Sequence, residues 1–164
     1  MTDLTTSYLG LQLRNPVVAS ASPLSQTVAG IRSLADGGVG AVVMYSLFEE
    51  QLRRESERIA VLEAAHEDSY AEATSFFPPV PQAVEDDPAS GYLKVLETAA
   101  EVVDIPIIAS MNGTSLGSWT DTARRFADAG ASAVELNIYL VPGNIELSGE
   151  EVERRHLEIV QAVR

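Results

Sequence analysis

The residues best suited to chemistry stand at the ends of apolar segments of strand length. They are Ala19-Ser20-Ala21, Tyr45-Ser46, Ser110–Gly113 and Asn137–Tyr139. Small residues let a flat ring approach the backbone, and serine and asparagine donate and accept hydrogen bonds without carrying charge. No Asp, Glu, Lys or His ends these segments, so metal hydrolysis and Schiff-base aldolase chemistry lack their ligands or nucleophile. A bound redox cofactor, which carries its own reactivity, fits better.

The segments that carry these residues alternate with amphipathic stretches of helical period. We predict a small hairpin at 5–8 and 11–13, and strands at 16–21, 41–44, 105–111 and 133–138. We predict helices at 25–36, 49–67, 92–103, 118–129 and 152–163, and a proline-rich loop or lid at 76–88. Ser148 followed by Glu151 is typical of a capping box at the start of the last helix.

One pattern occurs twice, in residues 34–42 and 126–134, where a helix ends at glycine and turns directly into a buried strand. Repeated βα units force parallel strands, in a doubly wound sheet or a closed barrel. Four units are visible, against the eight and roughly 250 residues of a complete (β/α)8 TIM barrel. We expect an α/β fold in which residues 1–164 form the N-terminal portion of one truncated barrel domain; a complete small α/β domain is the alternative.

Composition narrows the classes of partner. The formal charge of −13 argues against nucleic acid and anionic membranes, which bind clusters of Lys and Arg. The absence of cysteine excludes disulfides and thiolate zinc sites. Residues 1–8 do not show the basic start and apolar core of a signal peptide, and no apolar run in the sequence reaches the ~20 residues of a membrane span. We expect a soluble, cytoplasmic protein without a metal that acts on a small-molecule substrate, with a homodimer as a possible assembly.

Three stretches resemble the class 1 dihydroorotate dehydrogenases in order and spacing. They are Tyr8–Leu11 with Asn15–Ala21, then Pro106–Gly113, then Ala129–Asn137. The resemblance spans the chain and is greatest to the divergent dihydroorotate dehydrogenase-like branch. It implies a flavoprotein with a TIM barrel that binds FMN and oxidises dihydroorotate, or a related small substrate, in pyrimidine biosynthesis.

The resemblance also assigns residues to the flavin. Ala19 and Ser20 match the family segment whose backbone and hydroxyl contact the flavin, and Ser46 matches a serine beside it. Asn137 matches the strand-end asparagine that touches both flavin and substrate. Asn112 is a further candidate for the flavin site, with a role in its loop as the alternative.

Two positions depart from the family pattern. The family usually has a lysine where this chain has Tyr45, and a proton-accepting Cys or Ser where it has Leu140. Tyr139 is the candidate catalytic substitute, although an ordinary phenol with a pKa near 10 is a poor base at neutral pH, and packing is its alternative role. The loss of the base leaves a second functional reading, a non-catalytic flavin-binding relative, and a third, a non-flavin barrel lyase that binds a phosphorylated sugar.

Overall fold

The computed structural model describes residues 2–51, 54, 57, 61, 89–113, 119–138 and 143–164. Two short strands near the N-terminus, β1 (Thr6–Tyr8) and β2 (Leu11–Leu13), pair in an antiparallel hairpin. Leu9 and Gly10 form its turn with φ of 52° and 79°, which is the left-handed geometry that tight hairpins need at both positions. The predicted hairpin is confirmed. No helix in the described part of the chain is long and apolar enough to cross a membrane.

A second sheet has four parallel strands in chain order. They are β3 (Val18–Ala19), β4 (Ala41–Phe48), β5 (Ile107–Gly113) and β6 (Ala133–Ile138). The predicted strands and their parallel direction are confirmed, with two changes of length. The first is much shorter than predicted because the chain turns into a 3₁₀ helix at Pro23–Ser25, whereas β4 continues beyond Met44 to Phe48.

The helices follow the strands as predicted. They are α1 (Val28–Asp36), α2 (Ser90–Val102), α3 (Trp119–Asp128) and α4 (Gly149–Val163). The side chain of Thr27 caps α1, and the capping box of Ser148 and Glu151 at α4 is confirmed. The described residues of the helix predicted at 49–67 are helical. The proline-rich segment 76–88 lies outside the described residues.

All four of these helices pack on one face of the parallel sheet. Ile31, Leu96, Phe126 and Ile159, one from each helix, belong to a single buried cluster. We call the opposite side the inner face. A doubly wound sheet would carry helices on both faces and reverse its strand order, so the singly wound arrangement agrees with a barrel segment. Closure into a barrel stays a prediction.

The hairpin covers the inner face at the N-terminal ends of the strands. Leu13 packs there against Ala41, Val43 and Ile108. A side-chain amide fixes the segment that follows the hairpin, because Asn15 Nδ2 donates to the carbonyl of Gly38 at 2.8 Å. The chain passes so close to Gly40 that a Cβ there would lie 2.2 Å from the Asn15 carbonyl oxygen. This cover leaves the other end of the inner face as the place for a site.

Candidate functional site at the carboxyl ends of the strands

The inner face changes from apolar to polar toward the carboxyl ends of β4, β5 and β6. Successive side chains of a strand point to opposite faces of the sheet, so residues two apart on one strand share a face. Residues that pair in register on neighbouring strands share a face as well. The strand pairing aligns two rows on the inner face: Ser46, Ser110 and Glu135, and beyond them Phe48, Asn112 and Asn137. In parallel α/β sheets this is the end at which ligands bind.

Four of these side chains form one hydrogen-bonded group, which we call the polar cluster: Ser46, Ser110, Glu135 and Asn137. Ser110 Oγ donates to Glu135 Oε1 at 2.7 Å and lies 2.9 Å from Ser46 Oγ. Asn137 Nδ2 is 3.2 Å from the same Glu135 oxygen and 3.3 Å from Ser110 Oγ. Because the single hydroxyl hydrogen of Ser110 goes to Glu135, Ser46 is the donor in the pair of serines.

A β-bulge in β4 sets the position of Ser46. Between the pairs Val43–Ile108 and Ser46–Ser110, β4 has one residue more than β5, which bends the strand and redirects its side chains. At the bulge, the amide of Ser110 donates a hydrogen bond to the hydroxyl oxygen of Tyr92 at 3.0 Å. The ring of Tyr92 stacks at a tilt on Tyr45, 4.9 Å between centroids. The helix layer thus supports the site from behind.

Burial raises the pKa of both phenols above an ordinary value that already leaves them neutral at physiological pH. It raises the pKa of Tyr45 and, with less exposure, raises the pKa of Tyr92 further. Tyr45 precedes Ser46 at the end of β4, so a neutral ring lines the cavity there. The end of β4 therefore offers no positive charge to a ligand.

A cavity of about 270 Å³ opens between the ends of β3 and β4. Ser46 connects it to the polar cluster, and Phe48, with 41% of its surface exposed, forms an apolar wall. The remaining lining residues are Ala21, Ser22, Pro23, Gln26, Tyr45 and Gln51. Among the described residues, the lining is uncharged and combines a flat apolar surface with hydroxyl and amide groups, which suits a planar ring with polar edges.

The other sequence-predicted residues lie around this group in different ways. Ala19 packs against the helix-side cluster, and Ser20 is exposed beyond the end of β3; neither joins the polar cluster. Asn112 is the penultimate residue of β5 and pairs in register with Asn137. Its Oδ1 is buried without a hydrogen-bond partner in the described part of the chain. Tyr139, the candidate base, lies outside the described residues, as does Leu140.

Two residues of the site, Glu135 and Phe48, are not among the candidates predicted from the sequence. Glu135 lies inside β6, three residues before its end, so it is not among the residues that close the strands. The signal was present, since Glu135 stands two positions before Asn137 and must share its face. Phe48 was overlooked because β4 was predicted to end at Met44. An apolar run followed by a bulge has no distinct signature in a single sequence.

Comparison with known proteins gives a short match. No protein-family model matches the chain. It is 40% identical over 57 residues to a provisionally named dihydroorotate dehydrogenase A (fumarate) of Aeropyrum pernix, which covers 33% of this chain and 19% of that protein. The match spans about a fifth of the length of this relative. It supports a distant relationship to that family and no more.

A solved structure with a similar course of the chain belongs to another kind of enzyme. A provisionally named dihydrodipicolinate synthetase from Pseudomonas aeruginosa aligns with a TM-score of 0.46 and 15% identity, over 90% of this chain and 42% of that one. At this score and identity, the likeness supports neither a fold nor an activity for the present protein.

Proposed function

We propose that this protein is an FMN-dependent oxidoreductase of the dihydroorotate dehydrogenase type, and that the chain is the N-terminal portion of one barrel domain. Its substrate is dihydroorotate or a related small ring in pyrimidine biosynthesis. The observation that carries the proposal is the gathering of Ser46, Asn112 and Asn137 on one face at the carboxyl ends of parallel strands. The short match to a dihydroorotate dehydrogenase gives independent support.

The chemistry of the site fits one edge of a flavin ring. The isoalloxazine system is flat, and its pyrimidine edge carries an N–H group that can donate to the acceptors of the site. Phe48 offers an exposed ring next to the cavity, and the buried Asn112 Oδ1 lacks a donor within the described residues. The cavity is smaller than the ~300–1,000 Å³ of a whole small-molecule pocket, so it suits one ring edge rather than a complete nucleotide.

The protein's own residues bind the ligand ring and orient it. When bound, FMN supplies a ring that accepts a hydride. Ser46 and Asn137 fix the plane and the edge of the ligand, and the partners of both side chains are already in place before a ligand arrives. Tyr45 and Phe48 exclude water from one side. Such pre-organisation lowers the free energy lost in ordering side chains upon binding.

A flavin titration tests the proposal. The visible absorption spectrum of the purified full-length protein, of which this chain is the proposed N-terminal portion, is recorded as isolated and during addition of FMN, beside Asn137→Ala and the exposed Gln161→Ala as a control. We expect the flavin spectrum to change on binding to the parent and the control, with affinity about tenfold lower for Asn137→Ala because one hydrogen bond to the ligand is lost. Absence of bound flavin at every FMN concentration would exclude the function.

The alternative, a flavin-binding relative without catalysis, rests on Leu140 at the position of the family's proton acceptor. Loss of a general base costs typically 10²–10⁴-fold in rate. Anaerobic addition of dihydroorotate and related neutral rings to the flavin-loaded protein separates the two. Bleaching of the flavin by any of them supports the enzyme, and a spectrum that stays oxidised with all of them supports the alternative.

A further inference from the structure

Glu135 determines which groups of the polar cluster donate hydrogen bonds and which accept them. Its Oε1 receives a hydrogen bond from Ser110 and another from Asn137. A carboxylate only accepts, so the amide nitrogen of Asn137 and the hydroxyl hydrogen of Ser110 must both turn toward it. No cation is ion-paired with Glu135 in the part of the chain that the structure describes. The donors of the cluster are consequently used inside the protein.

The groups left to face a ligand are acceptors. Ser46 gives its hydrogen to Ser110, which leaves the lone pairs of its oxygen beside the cavity. Asn137 turns its nitrogen toward Glu135 and Ser110, and its carbonyl oxygen accepts no hydrogen bond from the part of the chain that the structure describes. Asn112 Oδ1 is the third acceptor, buried without a donor among the described residues. Three acceptors at neighbouring strand ends call for N–H donors on the ligand.

The charges around the site also favour a neutral ligand. Among the described residues, the lining of the cavity contains no Lys, Arg or His, and the end of β4 contributes Tyr45 and Ser46 to it. A ligand carboxylate would meet the carboxylate of Glu135 and a row of acceptors with no counter-ion among the described residues. Like charges that approach in a partly desolvated site repel each other far more than they do in water.

We propose that Glu135 is a positioning residue that makes this site selective for a neutral lactam or imide ring carrying N–H groups, in preference to a ring with a carboxylate. Glu135 acts through Ser110 and Asn137 and does not itself touch the ring. The inference rests on the proposed function for the location of the site, and it narrows the substrate class from dihydroorotate to a neutral relative.

Two probes that differ by one carboxylate test the selectivity. Dihydrouracil and dihydroorotate are titrated calorimetrically into the purified protein, with and without FMN. We expect dihydrouracil to bind at least about tenfold more tightly than dihydroorotate. Equal affinity, or tighter binding of dihydroorotate, overturns the inference. Flavin binding is scored separately by absorption, so a failure of the flavin proposal is distinguished from a failure of the selectivity.

Two substitutions separate the charge of Glu135 from its hydrogen bonds. In Glu135→Gln an amide oxygen can still accept from Ser110 and Asn137 while the charge is gone, so dihydroorotate affinity should rise about tenfold and dihydrouracil affinity should hold. In Glu135→Leu the donors of Ser110 and Asn137 lose their acceptor and can turn toward the ligand, so dihydrouracil affinity should fall. The exposed Glu101→Gln on α2 is the matched control and should alter neither affinity.

A merely structural role for Glu135 predicts a different result. Both probes would then lose affinity by the same factor in Glu135→Gln and Glu135→Leu, and their ratio would stay at the parental value. Melting temperatures measured beside the titrations show whether each variant is folded. An unchanged ratio in folded Glu135→Gln overturns the inference.

Discussion

The two halves of the inner face use the same strands for opposite purposes. The base half, at the N-terminal ends, consists of Ala41, Val43 and Ile108 under Leu13 of the hairpin. The tip half consists of the polar cluster with Asn112 and Phe48. The base half is closed by the chain's own side chains, so its burial contributes stability. Among the described residues, the tip half has hydrogen-bond acceptors without donors, and this difference supports our proposal that a ligand binds there.

The largest expected effect is a loss of stability in the base half. Ile108 is 4% exposed, and truncation to alanine leaves a cavity that the surrounding strands cannot collapse upon. We expect Ile108→Ala to lower the free energy of unfolding by ~2–5 kcal/mol, measured by urea denaturation. Val102→Ala, at a position 43% exposed on α2, is the control. A cost below about 1 kcal/mol for Ile108→Ala would contradict a packed base half.

A smaller loss is expected behind the tip half. Tyr92→Phe removes the hydroxyl that receives the Ser110 amide and leaves a buried donor unpaired, which costs ~1–3 kcal/mol. The exposed Tyr8→Phe should cost nothing measurable. If both variants unfold at the same urea concentration, the hydroxyl of Tyr92 does not support the bulge.

Stability measured at alkaline pH provides a second test of the burial of Tyr92. Burial raises the pKa of Tyr92, so the folded state keeps the phenolic proton at pH values where the unfolded chain releases it. The stabilisation is therefore complete below the unfolded pKa of about 10 and is lost as pH rises above it. Urea titrations on both sides of that pH should show a steeper loss for the parent than for Tyr92→Phe. Equal slopes would mean that Tyr92 ionises as freely in the fold as in the unfolded chain.

The smallest effect on stability is expected at the tips. Asn137 is exposed and its partners are polar, so Asn137→Ala should change the free energy of unfolding by less than about 0.5 kcal/mol. Ligand affinity, in contrast, should fall as described above. A loss of stability comparable to that of Ile108→Ala would remove the distinction between the halves.

Much of this arrangement could be predicted from the sequence. The uniformly apolar strands, the helix ends at glycine and the capping box of Ser148 depend on local patterns, and they were placed within a few residues. Parallel strands bring their carboxyl ends together, so the nearness of Ser46, Ser110 and Asn137 followed from strand order alone.

The remainder depends on contacts between distant segments. The bulge in β4, which lengthens the strand to Phe48, is stabilised by Tyr92 from a helix far along the chain, and no local pattern announces it. The cluster around Glu135 arises from register across three strands. A two-residue periodicity would have placed Glu135 beside Asn137, but not its hydrogen bond to Ser110.

Amide hydrogen exchange with and without saturating FMN tests the division of the inner face most directly. We expect slower exchange on adding FMN at residues 46–48, 110–113 and 135–138, with exchange at residues 41–43 and 107–108 unchanged. Protection confined to the base half or to the hairpin, or no protection at any FMN concentration, would contradict it.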